Sequence, residues 1–196
     1  MKNPRQPKEK TTYKDTKLIN FPEPVTVREV ESLLRQNTHG AKKRLLFVIF
    51  HRLNNRYIRP LNQIPSSKRS GFLIMAAGCL LIESLQAFRD RKEYTMRGTD
   101  TGTFRKFFSE NQAFSELVPV SRKFYKNIRC GVLHQAETYG NWLVIRERGE
   151  PLLNSERNAI NADIFFGNYR QACVSIIANC LKPNGTSHFG MLLGSN

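Results

Sequence analysis

Apolar residues recur along this chain with the spacing of amphipathic helices, interrupted by short polar or glycine-containing stretches. Val27, Val30, Leu33 and Leu34 form a first stripe, and Thr26 with Glu29 three residues later makes a capping box, so a helix should begin at Thr26. Asn37-Thr38-His39-Gly40 breaks the pattern; a second helix is expected from about Ala41 to Tyr57, stopping before Pro60. A third, from about Ser70 to Lys92, is apolar on nearly every side between Phe72 and Ile82 and should form the centre of the molecule. Arg97 to Thr103 is Gly- and Thr-rich and predicts a loop, followed by a short helix carrying Phe104, Phe107 and Phe108. A further helix is expected from Pro119 or Val120 to about Thr138, halted by Gly140. Trp142 to Ile145 predicts a short strand, with Pro151 to Leu153 as its hairpin partner across Arg148-Gly149-Glu150. The last helix runs from about Ile160 to Leu181, before Pro183. The pattern predicts an all-α, up-and-down bundle of four to five main helices with one small β-hairpin. Residues 1–20 are polar and basic and predict a disordered arm, 21–182 one domain, and 183–196 a flexible tail.

Charge changes this picture. Lys and Arg outnumber Asp and Glu 31 to 16 in 196 residues, a net charge of +15, which calls for a polyanionic partner such as nucleic acid. The stretch from Lys42 to Arg69 holds Lys42, Lys43, Arg44, Arg52, Arg56, Arg59, Lys68 and Arg69 and no acid, and it is the expected RNA-facing surface. The four cysteines form no C-x-x-C pair, so zinc at the usual spacings is not expected, nor any other metal or cofactor. Reduced thiols, no apolar leader and no run long enough to span a bilayer predict a cytoplasmic protein without a membrane partner.

The helix after Pro119 carries the candidate chemistry. On a regular helix, Phe124, Tyr125, Ile128, Val132 and Tyr139 cluster on a core-facing side, and His134 falls about 140° from its centre, so it should face away from the core. Arg129 and His134 would then diverge by about 140° and lie about 7.5 Å apart along the axis; two copies across a dimer axis could build a shared cleft. Gly131 costs helix stability, and a glycine there makes sense if something must approach the backbone closely. RNA carries its own nucleophile, the 2′-OH; its cleavage needs a group that moves protons near neutral pH, which His supplies. It also needs a cation on the phosphate, which the Arg fork suits. Glu83 is the single acid between Ser70 and Arg89 in the central apolar helix and requires a partner, for which Arg129 is the candidate.

The segment FYKNIRCGVLHQAET resembles the signature helix of the HEPN superfamily, with its Arg-x4-His motif at Arg129 and His134. The Gln-Ala-Glu-Thr after the histidine, the aromatic hairpin and the Asn161-Ala162-x-x-Phe165 helix extend the likeness over roughly residues 40 to 181. The resemblance implies a HEPN-like helical bundle, usually dimeric, and a metal-independent endoribonuclease of toxin, antiphage or RNA-processing type. Arg129 and His134 would be catalytic, Glu83 a residue that orients Arg129, and Lys126 a contact for RNA beside the basic segment. It leaves open a separate antitoxin or regulatory protein. Many active members carry a polar residue directly after the arginine, where this chain has Cys130. The alternative function is therefore a non-catalytic HEPN-fold protein that binds RNA or acts as a scaffold.

Overall fold

The computed structural model describes residues 12–19, 23–36, 38–90 and 100–180. Helices dominate these segments, accompanied by two small sheets. The tail expected over 183–196 lies outside the described residues, as do residues 1–11 of the expected arm. Residues 12–19 of that arm are ordered. Tyr13–Asp15 form a 3-10 turn and β1 (Lys17–Ile19) pairs antiparallel with β2 (Val25–Thr26). Ile19, Val25 and Val48 bury together, so this ribbon is held by apolar contact that the basic composition of the segment concealed.

Thr26 caps α1 (Val27–Gln36), its hydroxyl accepting the Glu29 N–H at 3.3 Å. Thr38 likewise accepts from Ala41 and starts α2 (His39–Leu53) two residues earlier than the polar interruption suggested. Pro60 does not stop this helix. The backbone widens into a π-helical turn over Asn54–Ile58 and runs on as α3 (Arg59–Asn62). The wide turn moves the register past the carbonyl that a proline ring would otherwise meet.

The central helix is α4 (Gly71–Arg89), close to the expected bounds. α5 (Asp100–Glu110) begins within the stretch predicted as a loop, whose residues 97–99 lie outside the described ones. Its Phe104, Phe107 and Phe108 are fully buried with Phe114, Phe124, Phe165 and Tyr169. Phe124 stacks on Phe165 with ring centroids 5.4 Å apart, and Phe108 on Phe114 at 5.5 Å. This aromatic cluster joins α5, the motif helix and α8 (Ala162–Cys180) into one core. α4 packs tightly against α8: a Cβ on Gly78 would lie 2.8 Å from Phe165 Cε1.

The expected hairpin is replaced by a three-stranded sheet in the order β3-β5-β4, made of β3 (Leu143–Ile145), β4 (Leu153–Asn154) and β5 (Ala159–Asn161). β5 is buried and central, parallel to β3 and antiparallel to β4. Residues 160 and 161 thus belong to a strand and not to the last helix. Beyond β3 the chain is pulled aside by Arg146, whose guanidinium donates to Asp163, Ser70 Oγ and the carbonyls of Ile64, Pro65 and Lys68 at 2.6–3.1 Å. Asn161 then caps α8, accepting from Asp163 and Ile164, while its amide holds the Glu147 and Glu150 carbonyls.

Candidate active site

The motif helix is not regular. It comprises α6 (Ser121–Phe124), a π-helical turn over Tyr125–Cys130 and α7 (Gly131–Gln135). It ends earlier than expected because Ala136 adopts the left-handed conformation, with φ 55°. Tyr139 therefore lies past the helix and is 36% exposed, not on the core face assigned to it from regular periodicity. Phe124, Ile128 and Val132 do face the core.

The structure corrects the geometry of Arg129 and His134. Arg129 stands at the end of the wide turn and His134 on α7, and the long side chain of Arg129 reaches along the helix, so that its Nη1 lies 3.1 Å from His134 Nε2 within one chain. The divergence that called for a second copy to complete the site is absent. A guanidinium has donors alone, so in this contact Nε2 is the acceptor. His134 itself is exposed.

Arg129 is held from behind. Its Nε and Nη2 donate to the two carboxylate oxygens of Glu83 on α4, at 2.6 and 3.0 Å. Both side chains are largely buried, 16% exposed for Arg129 and 12% for Glu83. The hydrogen bonds that Arg129 donates to Glu83 push the Arg129 pKa up, outweighing the opposite effect of burial. Tyr125, one turn earlier, places its ring 5.4 Å from the guanidinium carbon. It was missed as a site residue because regular periodicity places it among core positions; its position four before Arg129 is the signal that could have found it.

Gly131 has a local explanation. After Ala136 the chain folds back over α7, so that a Cβ on Gly131 would collide with the Glu137 carbonyl oxygen and lie 3.1 Å from Thr138 Cα. The Glu137 N–H donates to the Gly131 carbonyl, and Tyr139 N–H to the Asn127 carbonyl at 2.9 Å. The close approach inferred from the glycine is thus made by the chain's own backbone, and it closes the wide turn. Cys79, one turn before Glu83 on α4, is buried, and burial pushes its thiol pKa up; Cys130 is half-buried beside Arg129.

The basic segment is divided. α2 packs chiefly on α1 and β1, whereas the motif helix packs on α4 and α5. Arg44 is committed to Glu29 at 3.2 Å and Glu23 at 3.6 Å and lies over the Phe47 ring. Arg52 is half-buried, and burial and then Arg56 lower its pKa. His51 is half-buried against Phe47, ring centroids 4.2 Å apart, and not a surface residue. Lys42 is half-buried, while Lys43, Arg56, Arg59, Lys68 and Arg69 are exposed. Lys126 is exposed on the motif helix. Among the described residues, no group of three or more His, Cys, Asp or Glu side chains gathers as a metal site, and no helix is long and apolar enough to cross a membrane.

The site thus combines a clamped arginine, a solvent-facing histidine and a backbone fold that holds them in contact. Comparison with models of protein families, with curated proteins and with solved structures finds no match.

Proposed function

We propose that this chain is a metal-independent endoribonuclease of HEPN type. The observation that carries the reading is the contact between Arg129 Nη1 and the exposed His134 Nε2, with Glu83 fixing Arg129 from the buried side. In the proposed reaction, the oxygens of a phosphodiester displace His134 from Arg129. This frees Nε2 to accept the proton of the neighbouring 2′-OH. The 2′-oxygen then bonds to phosphorus while the bond to the 5′-oxygen breaks and that oxygen takes up a proton from solvent water, to which His134 returns the proton it accepted. The products are a 2′,3′-cyclic phosphate and a 5′-hydroxyl end. Arg129 supports the charge on the phosphate, a task its planar fork suits.

RNA is the proposed partner, supported by the net charge of +15. A homodimer remains part of the reading on a different ground: Leu73 and Leu80 on α4 and Leu133 on α7 are exposed apolar residues that a second copy would bury. A cytoplasmic toxin or antiphage role, with a separate antitoxin or regulator, rests on the resemblance of the motif helix. The second reading, a HEPN-fold protein that binds RNA without cutting it, is favoured by Cys130 after the arginine and by the engagement of Arg129 donors with Glu83 and His134.

Incubation of the purified protein with mixed RNA, with and without EDTA, separates the readings. Cleavage that survives EDTA and leaves cyclic phosphate ends supports the ribonuclease. Binding without cleavage moves the assignment to the binding protein.

A further inference from the structure

We propose that the N-terminal half of the motif helix is the track for the phosphates of single-stranded RNA flanking the site, with Arg122 and Lys126 as its contacts. The inference rests on the ribonuclease reading above and moves its RNA path from the basic segment 42–69 to the motif helix, on which the resemblance already places Lys126 as a contact. Arg122 and Lys126 stand four residues apart where α6 passes into the wide turn, close to the spacing of one helix face, and Arg129 follows at the end of that turn. Arg122 and Lys126 are exposed, and among the described residues neither has an ion-pair partner. No acid occurs between Glu116 and Glu137, so no carboxylate of the motif helix offsets Arg122 or Lys126.

Several other cations of the molecule are already neutralised. Arg44 is held by Glu29 and Glu23, Arg89 by Glu110, Lys106 by Asp90, and Arg157 by Glu147 and Glu150. A strip one side chain wide suits one strand rather than two. Along the axis, Lys126 lies about 12 Å and Arg122 about 18 Å from His134 by helical rise. That is a span of roughly three to five stacked nucleotides. A strand whose scissile phosphate sits on Arg129 would lay its next phosphates along these two side chains.

The test uses the full chain carrying His134→Ala, so that binding is read without cleavage. A fluorescent oligouridylate is titrated across a range of salt concentrations. Arg122→Gln with Lys126→Gln should weaken binding about tenfold at low salt and reduce the log–log salt slope by about 1.4, the value for two phosphate contacts on a single strand. Arg105→Gln with Arg148→Gln removes the same charge from exposed positions elsewhere and should leave the slope unchanged. In the chain with His134 intact, the Arg122/Lys126 pair should raise KM on long RNA by a larger factor than on a dinucleotide, which is too short to reach the track. An unchanged slope in the Arg122/Lys126 variant, an equal loss in the control pair, or no binding of single-stranded RNA at all overturns the track. Absence of cleavage with normal binding overturns the ribonuclease reading alone.

Discussion

Arg129 grips Glu83 edge-on, Nε to Oε1 at 2.6 Å and Nη2 to Oε2 at 3.0 Å, and thereby presents Nη1 to His134. The pair ties the motif helix to the central helix and sets the plane of the guanidinium. Because both side chains are largely buried, removing one leaves the other uncompensated. Glu83→Ala should therefore lower unfolding free energy by about 3 kcal/mol. Glu83→Leu with Arg129→Met should recover most of the loss. Urea denaturation of the single and double variants measures both, and a double variant no more stable than the singles would refute the argument.

His134 is exposed and supports little of the core, so its removal should spare the fold while abolishing the proposed chemistry. His134→Ala should keep its melting temperature and cut RNA about 10²- to 10⁴-fold more slowly, the scale of a lost general acid or base. Arg129→Lys should rescue poorly, because an ammonium cannot bridge both Glu83 oxygens and still reach His134 in one plane. Single-turnover assays on labelled RNA would read these rates, and an undiminished rate in His134→Ala would remove the histidine from the mechanism.

Two glycines should respond to alanine in opposite directions. Gly131→Ala places a methyl group against the Glu137 carbonyl and should destabilise by about 1–3 kcal/mol despite the better helix propensity of alanine. Gly167→Ala, on an exposed face of α8 with nothing within 4 Å, should stabilise by up to about 1 kcal/mol. Thermal unfolding of the two variants side by side checks the sign of each.

Arg146 should matter to the fold more than its place in a short loop suggests. Its side chain is 9% exposed and satisfies three backbone carbonyls between Ile64 and Lys68 together with Asp163. Arg146→Ala should cost about 3 kcal/mol. Hydrogen exchange should quicken selectively at residues 63–70 and at the start of α8. Uniform exchange rates across the chain would show that the cluster is dispensable.

Stability should fall on the alkaline side. Burial raises the Cys79 and Tyr169 pKa values in the folded chain, Cys79 from an ordinary 9.0 and Tyr169 from 10.0. A group that binds its proton more tightly when folded contributes its full stability below its unfolded pKa and loses it as pH rises toward the folded value. Unfolding free energy should therefore decline from about pH 9 upward. In Cys79→Ala the decline should be shallower but not abolished, because burial also raises the pKa values of Cys173 and Tyr169. An identical profile for wild type and variant between pH 9 and 10 would exclude Cys79 as a contributor.

The amino-acid sequence by itself determined the helical character of the chain, the central place of α4 and the burial of the phenylalanines. It also determined the capped start of α1 and the outward aspect of His134. Each depends on which side of a local period is apolar, and that information is carried by neighbours in the sequence. The partner of Glu83 was legible for a related reason: an acid inside an apolar helix needs a cation, and few cations sit within helices that pack on it. Tertiary structure alone decided the contact between Arg129 and His134. A shift from α to π hydrogen bonding is set by whether the freed carbonyls find other donors, here the Tyr139 N–H on Asn127, and by the chain folding back over Gly131. The same holds for the order of the sheet, where Arg146 draws the chain away from a hairpin toward residues some eighty positions earlier. Those choices depend on contacts between segments far apart in sequence, and no local pattern of apolar and polar residues encodes them.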